Sequence, residues 1–199
     1  MKILFLSLGL FSLSGQDYTF GTTVVSSSGF QGEIYLLKPE TDRLPNFKRM
    51  KAVGAIYTNR LNVPPRDFTR GFPGVTDRFE WFAIDYTARF WIEEPGLYRF
   101  RLLSDDGSRL EVDGKLLVDN DALHPPLAID GSAELSRGVH RIRVAYFQGP
   151  RQDVALVLSV QRPGGVDWEI FDTGNFSPPS DPALWTPGNI SKIKRGANW

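Results

Sequence analysis

Apolar and polar residues alternate with a period of two along much of this chain, which is the pattern of half-buried β-strands. In Leu97 to Leu103, Tyr98, Phe100 and Leu102 fall on one face and Arg99 and Arg101 on the other. Val139 to Phe147 repeats the pattern: His140, Ile142, Val144 and Tyr146 share a face, while Arg141 and Arg143 point away. Arg109 to Val112 and Lys115 to Val118 flank Asp113-Gly114. That arrangement predicts a hairpin, because a type I′ turn needs positive φ at both central residues. Ile34 to Leu37, Val53 to Tyr57, Phe79 to Ile84, Ala88 to Ile92 and Val154 to Val160 are further apolar runs, and Trp168 to Phe171 suits a last edge strand. Pro64-Pro65 and Phe72-Pro73-Gly74 mark a long loop, and Glu94-Pro95-Gly96 a turn. No comparable stretch shows a helical period. About nine short strands predict an all-β fold, an antiparallel β-sandwich or partly closed barrel.

The two ends read differently. Lys2 precedes a nearly unbroken apolar run from Ile3 to Leu13, followed by the small residues Ser14 and Gly15. Residues 1–15 read as a secretory signal peptide, too short to span a bilayer comfortably. Residues 16–31 read as a linker, rich in Ser, Thr and Gly, and 32–172 as the sandwich. Residues 173–199, with Trp185, Trp199 and the basic run Lys192 to Arg195, read as an extended Pro-rich tail.

Composition narrows the function. The 199 residues are 41% hydrophobic, enough for one packed domain. Twenty-three basic and 23 acidic side chains cancel, so no nucleic-acid surface is expected. There is no cysteine, which excludes disulfides and thiolate metal sites, and two histidines are too few for ordinary zinc ligation. With a cleaved leader, the protein is expected outside the cytoplasm, secreted or periplasmic, with no later membrane span.

Asp105 and Asp106 are adjacent in Ser104-Asp105-Asp106-Gly107-Ser108, between two strand patterns. Two readings stand. Asp, Gly and Ser close turns. Neighbouring carboxylates at a strand end also suit a hard cation such as calcium, which takes many oxygen ligands. Glu93-Glu94 precedes Pro95-Gly96 and reads as a solvated turn. Asp119-Asn120-Asp121 imitates the start of an EF-hand loop but fails at its sixth position, where His124 replaces the required Gly. Its loop follows the Asp113-Gly114 hairpin towards one end of the same sheet. His140, on the inward face, reads as a hydrogen-bonded core residue. His124 precedes Pro125-Pro126 and either orients that loop or edges a binding site. Trp81, Phe90 and Trp91 fall within predicted strands and read as core rather than as sugar platforms.

Taken together, Phe90-Trp91-Ile92, Glu94 to Phe100, Ser104 to Leu110, Val112 to Asn120 and Leu135 to Phe147 resemble the core of the protective-antigen-type domain, the PA-fourteen family. The resemblance spans roughly Gly32 to Val160. It implies a β-sandwich used in toxins, glycosidases, adhesins and flocculins, usually as a non-catalytic binding module. In lectin-like members, two adjacent aspartates joined by a cis peptide hold calcium, which in turn ligates sugar hydroxyls. Asp105 and Asp106 match that pair.

Further metal ligands are expected from the turn before the last long strand, with Gln152 and Asp153 as candidates. Asn120, His124 and Gln148 are expected to join the aspartates in ligand binding. This turn is short where flocculin-type lectins carry long specificity inserts. The resulting expectation is a secreted, non-enzymatic carbohydrate-binding module, dependent on calcium through the Asp-Asp pair, whose partner is a glycan or cell-envelope component. The alternative is a metal-free cell-envelope scaffold or protein-interaction domain.

Overall fold

The computed structural model describes residues 29–76, 78–150 and 152–180. The leader, most of the linker and the end of the tail lie outside them, with Trp185, Trp199 and Lys192 to Arg195.

Among the described residues, eleven strands form two antiparallel sheets packed face to face. The first sheet joins β1 (Phe30–Leu36), β2 (Gly54–Thr58), β4 (Phe82–Ile92), β6 (Ser108–Val112), β7 (Lys115–Asn120) and β9 (Gly138–Gln148) in the order β2-β1-β4-β9-β6-β7. The second joins β5 (Gly96–Asp105), β8 (Leu127–Leu135), β10 (Asp153–Gln161) and β11 (Glu169–Ile170) in the order β11-β10-β5-β8. Strand β3 (Asn62–Asp67) also pairs with β10. The sheets do not close into a barrel. Among the described residues, no helix is long and apolar enough to cross a membrane.

Alternation builds the interior. Tyr98, Phe100 and Leu102 of β5 face Ile142, Val144 and Tyr146 of β9 across the sandwich, all at most 2% exposed. The central strands β4 and β9 are covered on both faces where they pair at Phe82–Ile84 and Tyr146–Gln148; towards Val139 and Arg141 the outer face of β9 is exposed. A second cluster beneath the 37–53 segment packs Leu37 and Phe47 onto Tyr35, Ala83, Ala145 and Phe147. His140 is buried as expected, its Nδ1 2.6 Å from Asp113 Oδ2 and its Nε2 2.7 Å from the Ser136 carbonyl. Asp113 and Gly114 have φ of 50° and 79°, the values a type I′ hairpin needs.

Several expectations need correction. Pro64-Pro65 is no loop but lies within β3. That strand is on an edge, and its pairing with β10 shifts register between Val154 and Leu156, so the missing proline N–H groups break no regular ladder. Strand β8 went unseen in the sequence because only Ala133 and Leu135 of its nine residues are buried. Trp81 sits before β4 rather than in a strand, with φ of 60°. Phe90 and Trp91 are core, at 2% and 4% exposure. The domain is also wider than 32–172: β1 starts at Phe30, and Phe176 stacks on Phe171 with centroids 4.9 Å apart, at 3% exposure.

Candidate functional site

Strand β5 ends at Asp105 and β6 begins at Ser108, so the aspartates occupy the tight crossing from one sheet to the other. The peptide bond between them is cis, as the resemblance implies. Gly107 follows because nothing larger fits: a Cβ there would stand 2.3 Å from Phe147 Cε1 and 2.9 Å from the Ala122 carbonyl oxygen.

The floor beneath the crossing is a buried polar network. The Tyr146 hydroxyl lies 2.7 Å from the Asp105 carbonyl oxygen and 2.6 Å from Gln148 Oε1. Gln148 Nε2 donates to the Asp153 carbonyl at 3.0 Å. Ser104 and Ser108 hydroxyls meet at 2.7 Å, and Asn120 Nδ2 donates to Ser104 Oγ and to the Leu127 carbonyl, both at 3.2 Å. These bonds fix where β5, β6, β7 and β9 converge.

The two carboxylates are used differently. Asp106 accepts the His124 backbone N–H at 3.2 Å and the Gly149 N–H at 2.7 Å, which ties two loops to it. Burial raises its pKa, opposed by those amides. The Asp105 carboxylate has no hydrogen-bond partner among the described residues, although the residue is only 3% exposed. Burial, then the charges of Asp106 and Asp153, push its pKa up to about 7, with His124 acting the other way. The Asp105 oxygens are not sealed from solvent, and in so little water the ionised form gains from a cation or hydrogen-bond donor reaching them.

The structure brings some expected ligands together and sets others apart. Asp153, half-buried at the start of β10, is near enough for its charge to act on Asp105. Gln148 is fully buried, and its amide is taken up by Tyr146 and the Asp153 carbonyl, so it serves as floor. Gln152 is exposed, its carbonyl accepting from the Phe68 N–H at 3.0 Å. Asn120 braces Ser104 and Leu127. The His124 ring spans its own loop, 2.9 Å from the Pro125 carbonyl and 3.0 Å from that of Asn120, while its backbone amide holds Asp106. Asp121 accepts from the Leu44 N–H at 2.6 Å and pairs with Arg109 at 3.2 Å, so it anchors the 37–53 segment. Gly149 and Tyr146 escaped the sequence reading. The glycine inside the Gln148–Asp153 turn is the one signal that pointed there.

Among the described residues, no three His, Asp or Glu side chains cluster as a complete metal cage. The donor set still suits a hard cation. It is anionic and all oxygen, the Asp105 carboxylate lacks a partner while staying reachable from solvent, and calcium completes its shell with carbonyl and water oxygens.

The model of the PA14 domain matches residues 58–174. No curated protein matches the chain. Among solved structures, an anti-sigma factor domain-containing protein is similar at 22% identity and a TM-score of 0.60, covering 78% of this chain and 50% of its own. The chain thus spans half the length of that relative. The PA14 domain of the MpAFP antifreeze protein shares 17% identity with a TM-score of 0.63, covering 74% and 88%. A PA14 sugar-binding domain from an RTX adhesin shares 20% with a TM-score of 0.57, covering 74% and 96%. At these identities the likeness is one of fold.

Proposed function

The chain belongs to the PA14 domain family, and from that premise we propose that it is a non-catalytic carbohydrate-binding module whose ligand is held through calcium at Asp105 and Asp106. One observation carries the reading: the Asp105 residue is only 3% exposed and stands beside a second carboxylate, and its own carboxylate, still reachable from solvent, has no hydrogen-bond partner among the described residues. Asp105 would be the primary ligand. Asp106 would contribute the lone pairs that its two amides leave free, with Asp153 supplying further negative charge from β10. Bound there, calcium would offer open coordination positions to sugar hydroxyls. The chain's own residues set the position: Tyr146 holds the Asp105 carbonyl, and Asp106 gathers the His124 and Gly149 loops around the site. Support for the sugar comes from the adhesin domain, described as sugar-binding. The N-terminal pattern and that adhesin support a place outside the cytoplasm, with a glycan of a cell surface as partner.

A titration with calcium, then with a glycan array in calcium and in chelator, tests the reading. Binding of a sugar only in calcium is expected. Binding of neither calcium nor any sugar would remove it.

A second reading has its own support. The amides on Asp106 and the Tyr146–Gln148 tie also describe a self-sufficient structural turn in a metal-free envelope scaffold. Replacement of Asp105 by Asn would then leave every binding property unchanged.

A further inference from the structure

Strands β7 and β8 meet at one edge of the sandwich, and residues of β2 and β3 together line a cleft at another. A cavity of about 230 Å³ lies there. Ile56, Val63, Phe72 and Leu156 give it apolar walls, Tyr86 of β4 lines it, and Arg60 stands at its exposed rim. Tyr86 leans across Gly32 of β1, where a Cβ would come within 2.4 Å of its ring.

Two polar groups here lack partners. Tyr86 is 2% exposed, yet its hydroxyl makes no hydrogen bond among the described residues. The other deeply buried tyrosines behave differently: Tyr98 donates to the Glu94 carbonyl at 2.8 Å, and Tyr146 reaches the Asp105 carbonyl at 2.7 Å. The Tyr86 hydroxyl is not sealed in the core: it keeps the residue's small exposure at the cavity that Tyr86 lines, where a ligand atom can accept from it. At the rim, the Arg60 guanidinium has no ion pair or hydrogen bond among the described residues.

We propose that this cavity is a second binding site, for a small aromatic acid that also carries a ring hydroxyl. The ring lies against Ile56, Val63 and Leu156, the ligand hydroxyl accepts from Tyr86, and the carboxylate meets Arg60 at the rim. Size permits it: an engineered apolar cavity of about 150 Å³ admits benzene, and this one is larger. The site is independent of the aspartate pair.

The test is a titration of the purified protein with 4-hydroxybenzoate, followed by methyl and amide NMR. Saturable shifts centred on Ile56 and Val63, with a Kd near the millimolar range, are expected. Tyr86→Phe removes one oxygen and should weaken binding about five- to tenfold, the loss of one hydrogen bond. Arg60→Gln, at the surface, should weaken it similarly, and Asp105→Asn should not. Benzoate should bind wild type as weakly as 4-hydroxybenzoate binds Tyr86→Phe. Absence of saturable shifts, shifts centred elsewhere, or wild-type affinity in both Tyr86→Phe and Arg60→Gln would overturn the proposal, leaving the cavity to water.

Discussion

The Gly149 backbone amide donates to Asp106 Oδ2 at 2.7 Å, across 43 positions of sequence. Through that bond the turn leaving β9 is tethered to the crossing from β5 to β6. A Cβ on Gly149 would stand 2.5 Å from Leu123 Cδ2 and 3.1 Å from Asp106 Oδ2, whereas one on Gly107 would meet the aromatic ring of Phe147 and a backbone carbonyl. The Leu123 methyl can swing aside, but the neighbours of Gly107 cannot. Gly107→Ala should therefore cost about 2–3 kcal/mol of stability, and Gly149→Ala about 1 kcal/mol, within the range for overpacked sites. Urea unfolding of both variants checks the order.

Acidity should stabilise the metal-free protein. The Asp105 carboxyl is raised from 3.8 to about 7 in the folded state. Its neutral form is the one folding favours, so its stabilising effect is complete below the unfolded pKa and is lost as pH rises through the folded value. Melting temperature in chelator should fall between pH 5 and pH 8. Asp105→Asn should flatten that dependence, and saturating calcium should raise the melting temperature most at the alkaline end, where the carboxylate is ionised. A melting temperature that rises over this range in chelator would contradict the raised pKa of the partly desolvated Asp105 carboxyl.

Phe176 tests where the domain ends. It stacks on Phe171 and lies over Phe90 at 6.0 Å, although it follows the last strand. Phe176→Ala should lower stability by about 3–5 kcal/mol, as for other buried aromatics cut to Ala. An exposed tail residue would change it by less than about 0.5 kcal/mol. Thermal and urea melts distinguish the two.

The Asp113–His140 contact closes the far end of the sandwich. Asp113 Oδ1 also accepts the Arg141 N–H at 2.8 Å, so one carboxylate secures the hairpin turn to β9 twice. Asp113→Ala should destabilise the fold by about 1 kcal/mol, because it removes one part-buried and one exposed hydrogen bond. Calcium affinity should stay unchanged, because the contact is at the opposite end of β6 from Ser108.

Sequence revealed the elements whose pattern matches their environment. Leu97 to Leu103 alternates because β5 has one face in the core, and Asp113-Gly114 takes the backbone form only such residues adopt readily. Strand β8 was hidden because its buried side is marked by little: Gly131 sits where a Cβ would come 2.4 Å from the Leu117 carbonyl oxygen, so a small residue replaces an apolar signal. Strand β3 was hidden by two prolines that an edge position tolerates. At the site, the adjacent aspartates were visible as a local oddity. Tyr146, Gln148 and Gly149 reach the same point from β9, more than 40 positions away, and their roles exist only once the sheets have packed.

In the proposed site a divalent ion compensates the Asp105 charge. Calorimetric titration of calcium into wild type and Asp105→Asn, at pH 8 after chelator treatment, addresses it directly. Saturable one-site binding to wild type, lost in the variant while its far-ultraviolet circular dichroism is unchanged, is the predicted result. No heat of binding to wild type at millimolar calcium, or equal binding to both proteins, would contradict it.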